Sequence, residues 1–248
     1  MGLIDSERPE RRQMTLFFLI DKSGSMAGEK IGSVNDAIEN VLPMIGEISD
    51  NNTDAEIVVA ALEFATDTRW LYDNPKLANE FIWQKVQAGG LTSLGQACLE
   101  LDKKLSRTEG YMTKSNNGSG YYAPAIILLS DGGPTDNFKA GLNTLMNNTW
   151  FKSAIRMAIA IGEDADLNVL EQFTGSKESI VRVKNLDALK AMIKVIAITS
   201  SQIGSQSKTS SDKTKQQQVE EKIAEVAADT KGAETANAPK ADEYDEWD

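Results

Sequence analysis

The stretch from Leu16 to Met26 reads LFFLIDKSGSM and decides the fold of this chain. Five apolar residues in a row are typical of a strand that is buried on both faces, as in the middle of a parallel sheet. Asp21, Ser23 and Ser25 then lie in the loop at the carboxyl end of that strand, where open α/β sheets bind ligands. One carboxylate and two hydroxyls supply hard oxygens, which suit a hard divalent cation better than proton transfer. The stretch therefore predicts a metal site that needs further ligands from elsewhere in the chain.

The composition is that of an ordinary globular protein and excludes several classes of function. With 248 residues, 41% hydrophobic and 25% charged, the chain is long enough for one substantial α/β domain with a small appendage. The net charge of −11 argues against nucleic-acid binding, which needs positive charge to neutralise phosphates. The chain has no histidine, the commonest general base and metal ligand. Ser-His-Asp and Cys-His catalytic sites and histidine-bound zinc are therefore excluded.

Cysteine usage and hydropathy predict a cytoplasmic protein without a membrane partner. Cys98 is the only cysteine, so no internal disulfide can form, and a reducing compartment is expected. The N-terminus lacks the apolar core of a signal peptide, and no run reaches the roughly 18 apolar residues that span a membrane. Cys98 itself lies on the apolar face of a predicted helix, which is typical of a small core residue and not of a nucleophile.

Strands and helices alternate along the chain. Apolar runs that read as strands occur at residues 14–20, 57–64, 125–129, 153–161 and 179–183. A turn at Thr66-Asp67 predicts a hairpin that adds an antiparallel edge strand. The alternation predicts an α/β, Rossmann-like three-layer fold with a mostly parallel central sheet, one antiparallel edge strand and helices on both faces.

The composition divides the chain into three parts. Residues 1–13 are polar and charged and are expected to form a leader. Residues 14–202 carry the alternating pattern and form the predicted domain. Residues 203–248 are rich in Ser, Thr, Lys, Gln, Ala and Glu, with acidic residues in excess, which predicts an acidic, low-complexity, disordered tail. Within this tail, the stretch 219–226 has the spacing of one short amphipathic helix that would form on a partner.

Oxygen-rich side chains occur in two further loops at the ends of core elements. Thr92 lies in a glycine-rich loop before a helix, and Asp131 directly follows a buried strand. If the parallel strands adjoin, both loops meet the loop of Asp21 at one edge of the sheet. Two carboxylates and three hydroxyls, some acting through water, form an octahedral magnesium site with an open position for an outside ligand. Asp136, farther along the third loop, is expected to cap the helix that follows it or to orient the loop.

Three motifs follow one another along the chain: Asp-x-Ser-x-Ser from Asp21, Gly-Gly-x-Thr-x-Leu-Gly from Gly89, and Ser-Asp-Gly-x-Pro-Thr-Asp from Ser130. In this order they resemble the motifs of the von Willebrand factor A (VWA) domain. The resemblance covers roughly residues 15–200, which leaves the tail without a counterpart. It implies a VWA fold with a metal ion-dependent adhesion site (MIDAS), whose ligands would be Asp21, Ser23, Ser25, Thr92 and Asp131.

The resemblance implies a protein-binding adaptor and not an enzyme. Mg²⁺, with Mn²⁺ and Ca²⁺ as alternatives, would take a carboxylate from a partner protein as its last ligand. The motifs are most similar to the bacterial TerY-like branch, known from tellurite-resistance and stress-signalling operons. Proteins of that branch accompany a protein kinase and a PP2C-type phosphatase, which are therefore the expected partners in a phosphorylation-signalling pathway.

Several alternatives remain open. Each motif alone also fits a helix cap or a turn. The motif order also resembles a haloacid-dehalogenase-like magnesium-dependent phosphatase, although that class has a second aspartate where this chain has Ser23. The leucine before Thr92 leaves Ser93 as the alternative ligand in the second loop. Finally, the acidic end, Asp242–Asp248, either supplies the carboxylate in cis or from a neighbouring molecule, or is a solubilising tail.

Overall fold

The structure is a computed structural model that describes residues 11–112, 120–131, 133–207 and 212–237. Within these ranges the chain forms one eight-stranded sheet flanked by helices. The strands are β1 (Arg12–Asp21), β2 (Ala55–Phe64), β3 (Thr68–Trp70), β4 (Lys76–Leu77), β5 (Ala125–Ser130), β6 (Ile155–Ile161), β7 (Ile180–Val183) and β8 (Ala233–Thr235). The helices are α1 (Glu29–Asp50), α2 (Leu94–Lys104), α3 (Phe138–Leu145), α4 (Thr149–Ser153), α5 (Leu167–Thr174), α6 (Leu186–Gly204) and α7 (Lys215–Asp229). None of the helices in the described ranges combines the length and apolar content needed to cross a membrane.

β1 lies in the middle of the sheet, as its continuous apolar run predicts. Every residue of β1 from Met14 onward is buried. The strand pairs in parallel with β2 on one side and β5 on the other, so that Leu19 lies opposite both Leu62 and Leu128. The strand order is β3-β2-β1-β5-β6-β7-β8, with β4 also paired to β2. The carboxyl ends of β1 and β5 are therefore neighbours.

The sheet separates two apolar cores, because successive side chains of a strand point to opposite faces. Phe18 and Ile20 belong to a core that α1, α6 and α7 cover. Phe17 and Leu19 belong to the other core, which α2, α3, α4 and α5 cover. Cys98 is fully buried in this second core, and burial raises the pKa of its thiol, as expected for a core residue. The predicted three-layer α/β fold is confirmed.

The sheet has more antiparallel strands than the single one predicted. The hairpin at Thr66-Asp67 gives β3, as expected, and β3 pairs antiparallel with β2. β4 also pairs antiparallel with β2, and β8 pairs antiparallel with β7 at the other end of the sheet. β4 and β8 have two and three residues, which is too short to give a recognisable alternation in the sequence. Both edges of the sheet are thus closed by short antiparallel strands.

The structure corrects the predicted disorder of the C-terminal tail over residues 212–237. α7 packs against α6 and β6, and β8 extends the sheet beside β7. Val219 and Ile223, one helical turn apart, are both fully buried. A capping box between Thr214 and Gln217 closes the first turn of α7. The amphipathic helix therefore forms on this chain's own domain, because a narrow apolar stripe suffices on a surface that is already folded.

The leader is also shorter than predicted. β1 begins at Arg12, so the last residues of the predicted leader belong to the sheet. The guanidinium of Arg11 donates hydrogen bonds to Ser49 O at 2.6 Å and Asn52 O at 2.7 Å, which attaches the chain to the end of α1. Residues 1–10 of the predicted leader and residues 238–248 of the predicted tail lie outside the described residues.

Candidate metal centre

The candidate site lies at the point where the strand order of the sheet reverses. β2 lies on one side of β1 and β5 lies on the other, so the loops that follow β1 and β5 lead to opposite sides. Asp21 is the last residue of β1, and Asp131 follows Ser130, the last residue of β5. Open α/β sheets bind their ligands at such a switch point. The structure therefore brings the first and third predicted loops together at one edge.

Asp21 is fully buried, and both of its carboxylate oxygens accept hydrogen bonds. Oδ1 accepts from the backbone N–H of Ser23 at 2.8 Å, and Oδ2 accepts from Ser130 Oγ at 2.6 Å. Burial raises the pKa of the Asp21 carboxyl, the hydrogen bonds from Ser130 and Ser23 lower it in part, and the nearby charge of Asp131 raises it again. A carboxylate in such surroundings is stabilised by a positive partner.

The hydroxyls of the first loop connect Asp21 to Asp131. Ser23 Oγ and Ser25 Oγ lie 3.0 Å apart, and Ser25 Oγ donates a hydrogen bond to Asp131 Oδ1 at 2.7 Å. The backbone between the two serines forms a short 3₁₀ turn, which places both hydroxyls on the same side. Asp21, Ser23, Ser25 and Asp131 therefore form one hydrogen-bonded group, which contains four of the predicted ligands.

Backbone hydrogen bonds hold the loop of Thr92 against the other two loops. Gly24 N donates to Gly90 O at 3.0 Å, which joins the first loop to the second. Thr92 N donates to Thr135 Oγ1 at 3.1 Å, and Thr135 N donates to Thr92 O at 2.8 Å, which joins the second loop to the third. Thr92 itself is buried. The structure thus joins the loop that carries the fifth predicted ligand to the loops that carry the other four.

Hydrogen bonding distinguishes Thr92 from Ser93 as the ligand of the second loop. Ser93 Oγ donates to Thr66 O at 3.3 Å. Among the side-chain hydrogen bonds of the described residues, none uses the hydroxyl of Thr92. The Ser93 hydroxyl thus has a protein partner, whereas the Thr92 hydroxyl is free to contact a ligand. This difference favours Thr92.

Asp136 caps a different helix from the one that the sequence predicts. Its carboxylate accepts hydrogen bonds from Gly95 N at 3.0 Å and Gln96 N at 2.9 Å, in the first turn of α2. α3, which follows Asp136, is capped instead by Asn137, whose side chain accepts from Ala140 N at 3.3 Å. The prediction that Asp136 caps the following helix was therefore wrong. A carboxylate at a helix N-terminus is favourable, and here it binds the third loop to the second.

Lys30 belongs to the site although no sequence motif indicates it. It is the second residue of α1, and its Nζ lies 2.5 Å from Asp131 Oδ2. The side chain of Asp131 is fully buried, whereas that of Lys30 is 36% exposed. The two residues are 101 positions apart, so no local pattern links them. The only sequence feature that could have pointed to Lys30 is its place as a basic residue at the start of the helix after Asp-x-Ser-x-Ser.

The donor atoms of this edge fit a hard divalent cation. Carboxylate and hydroxyl oxygens are the ligands that Mg²⁺ and Ca²⁺ prefer. In the part of the chain that the structure describes, no three or more His, Cys, Asp or Glu side chains are grouped to hold a metal. A cation here would therefore depend on hydroxyls and water as well as on two carboxylates. The residues that would hold it are Asp21, Ser23, Ser25, Thr92 and Asp131.

Solved structures share this fold at low sequence identity. A von Willebrand factor type A protein from Catenulispora acidiphila superposes with a TM-score of 0.54 at 13% identity, over 77% of this chain and 43% of that one. The ArnB paralog VWA2 from Sulfolobus acidocaldarius gives 0.53 at 18% identity, over 74% and 45%. Proximal thread matrix protein 1 from the mussel byssus, with a zinc-occupied MIDAS motif, gives 0.55 at 17% identity, over 77% and 48%. The chain thus spans less than half the length of each, and the likeness shows the fold alone.

Sequence comparison identifies the family. A search of curated proteins found no match to the chain. The family model of the von Willebrand factor type A domain, in contrast, matches residues 15–195, which is most of the chain. This match begins in β1 and ends in α6, so it includes all three loops of the candidate site. The chain belongs to the von Willebrand factor type A domain family.

Proposed function

We propose that this VWA domain is a metal-dependent protein-binding adaptor. The observation that supports the proposal best is the hydrogen-bonded group of Asp21, Ser23, Ser25 and Asp131 at the switch point of the sheet, to whose loops the loop of Thr92 is joined. When Mg²⁺ is bound there, with Mn²⁺ and Ca²⁺ as alternatives, it offers a ligand position to an outside carboxylate. The zinc-occupied MIDAS motif of the mussel byssus protein supports a divalent cation at such a site.

The rim of the site suits a protein surface. Leu91 is 58% exposed and directly precedes Thr92. Its backbone is fixed, because Leu91 N donates a hydrogen bond to Thr66 Oγ1 at 3.1 Å. An exposed apolar side chain on a fixed backbone, beside the proposed metal position, suits a partner protein that presents an acidic residue next to an apolar one. The proposed outside ligand is therefore a carboxylate side chain of a partner protein.

The proposed setting is a cytoplasmic stress-response or phosphorylation-signalling pathway such as tellurite resistance. The support is the similarity of the three motifs to the TerY-like branch. The proposed partners are accordingly a protein kinase and a PP2C-type phosphatase. The net charge of −11 further supports protein partners over nucleic acid or an anionic membrane surface.

Partner capture with and without a chelator tests the adaptor function. The tagged chain is incubated with extract of its native cell in Mg²⁺, in EDTA, and in EDTA followed by excess Mg²⁺. We expect a specific partner set to be retained in Mg²⁺, lost in EDTA and regained when Mg²⁺ is restored. The same partners bound under all three conditions would refute metal-dependent adhesion. Hydrolysis of p-nitrophenyl phosphate in Mg²⁺, absent in Asp21→Ala, would instead support the phosphatase alternative.

The ligand of the second loop can be identified with a pair of adjacent variants. We expect Thr92→Ala to weaken Mg²⁺ binding by about tenfold, because a hydroxyl ligand is lost. Ser93→Ala, in contrast, leaves the Mg²⁺ affinity near the wild-type value. It removes the hydrogen bond to Thr66 and lowers the free energy of unfolding by about 1 kcal/mol. Titration calorimetry with MgCl₂ and urea denaturation measure the two effects, and the opposite order of affinities would assign the ligand to Ser93.

A further inference from the structure

Lys30 places a positive charge directly on one of the proposed metal ligands. Its Nζ contacts Oδ2 of Asp131 at 2.5 Å, while Oδ1 of the same carboxylate accepts a hydrogen bond from Ser25. The carboxylate of Asp131 is fully buried, and a buried carboxylate is stable only with hydrogen bonds and a partner of opposite charge. Lys30 therefore supplies the charge that Asp131 requires.

A divalent cation would supply the same charge to the same carboxylate. An ammonium and a metal ion that share one carboxylate repel each other strongly, since charges a few ångströms apart in a protein are poorly screened. Binding of the metal at Asp131 is therefore opposed by the Lys30 ion pair. Lys22, the lysine of the first loop, instead pairs with Glu63 at 3.2 Å.

The Lys30 side chain has open space beside it. A cavity of about 70 Å³ adjoins Lys30 and is lined by residues that include Ile161, Gly162 and Lys184, and the ammonium of Lys184 pairs with Glu234 at 3.1 Å. Gly162 lies beside the lysine, since a Cβ added there would be at an ordinary contact distance of 3.6 Å from Lys30 Nζ. The lysine side chain has a flexible four-carbon stem and is 36% exposed. The ammonium can therefore leave Asp131 without a rearrangement of the backbone.

We propose that Lys30 is an internal competitor that lowers the affinity of this site for divalent cations. Its ammonium pairs with Asp131 when no metal is bound and withdraws from that carboxylate when the metal binds. This inference rests on the proposed metal site, and it adds that Lys30 sets the concentration of metal at which the site fills.

Calorimetric titration of the full chain with MgCl₂ and with MnCl₂, at low ionic strength, tests the competition. Lys30→Met keeps the length of the side chain and removes its charge, and we expect the metal to bind about tenfold more tightly. Lys30→Arg keeps the charge and is expected to bind the metal like the wild type. Lys177→Met is the matched control, because it removes a lysine that pairs with Glu171 at 3.8 Å near the amino end of β7, far from the site.

Thermal unfolding gives a second, independent measurement. In EDTA, Lys30→Met is expected to unfold at a lower temperature than the wild type, because the buried carboxylate of Asp131 loses its partner. Mg²⁺ should then raise its unfolding temperature by more than it raises that of the wild type. If Lys30→Met binds the metal as weakly as the wild type or more weakly, the inference is overturned, whereas the proposed metal site is unaffected. Equal tightening by Lys177→Met would also overturn it, and metal binding by none of the proteins would overturn both proposals.

Discussion

Asp21→Ala is expected to weaken Mg²⁺ binding by at least about 100-fold and to abolish metal-dependent partner capture. Asp21 is one of only two carboxylates among the proposed ligands, so its removal halves the negative charge that holds the cation. The hydroxyls of Ser23, Ser25 and Thr92 carry no charge and cannot replace it. Titration calorimetry with MgCl₂ measures the first effect, and capture in Mg²⁺ against EDTA measures the second.

The same substitution also changes the stability of the fold, which requires a second variant. Alanine leaves Ser23 N and Ser130 Oγ without the acceptor that Asp21 provides, at a cost of about 1–3 kcal/mol for each group that stays unsatisfied. Removal of a buried charge offsets part of this cost. Asp21→Asn retains an oxygen that accepts from Ser23 N, so it separates loss of the charge from loss of the hydrogen bond.

Asp50→Ala provides the matched control for both Asp21 variants. Asp50 is the exposed last residue of α1, at the end of the helix away from the site. We expect the Asp50→Ala protein to bind Mg²⁺ and partners as the wild type does. The near-ultraviolet circular dichroism spectrum shows whether each variant keeps its packed core. Wild-type Mg²⁺ affinity in a folded Asp21→Asn or Asp21→Ala protein would show that the MIDAS interpretation is wrong.

Ile223→Ala is expected to lower the free energy of unfolding by about 3 kcal/mol, in the range found for truncation of a buried isoleucine. Ile223 is fully buried in the core shared by α1, α6 and α7, so the substitution leaves a cavity there. Val226 lies on the same helix but is only half-buried. Val226→Ala is therefore expected to cost about 1 kcal/mol. Urea denaturation followed by tryptophan fluorescence compares the two.

Polar contacts also attach α7 to the domain. Lys215 Nζ donates to Gly204 O at 2.7 Å and Gln206 O at 2.6 Å, at the carboxyl end of α6. The side-chain amide of Gln216 accepts from Arg156 N at 2.8 Å and donates to Arg156 O at 3.1 Å.

An Ile223→Ala protein with wild-type stability would show that this segment is not part of the cooperative fold, and it would restore the prediction of a disordered tail.

The sequence predicts the central sheet and the positions of the loops because those features depend on local patterns. The run that ends at Asp21 needs a strand buried on both faces, and only a central position in a parallel sheet offers that. The same reasoning places Asp131 at the end of β5, directly beside β1. The sequence pattern is therefore sufficient to bring the two acids to one edge.

The features that the sequence does not predict depend on contacts between distant segments. Lys30 meets Asp131, and Asp136 caps α2, across intervals of 101 and about 40 residues, over which no periodicity applies. The average composition of the segment does not predict that α7 is folded, because only a few of its residues contact the domain. Its stripe becomes stabilising only when α6 and β6 are already in place. Composition is a property of the segment by itself, whereas α7 is stabilised by its contacts with the rest of the domain.

The direction of β8 places Asn237, the last described residue, at the edge of the sheet opposite the candidate metal centre. Ala233 lies opposite Val183 at the edge of the candidate metal centre, whereas Asn237 lies at the far edge, with its Nδ2 3.4 Å from Glu178 Oε1. A tag or solid support joined directly after Asn237 is therefore attached at the edge opposite the metal-binding edge. Capture experiments are best built on a C-terminal tether.

The position of Asn237 also affects which metal site the acidic end of the chain can reach. Residues 238–248, fully extended, span at most about 40 Å. To reach the site of its own molecule, this segment would have to return along the strands and cross four strand spacings of about 4.8 Å each, around the helices. The acidic end of a neighbouring molecule has no such limit. If it supplies the carboxylate, two copies of the chain meet through different surfaces, and such head-to-tail contacts extend into chains unless they close into a ring.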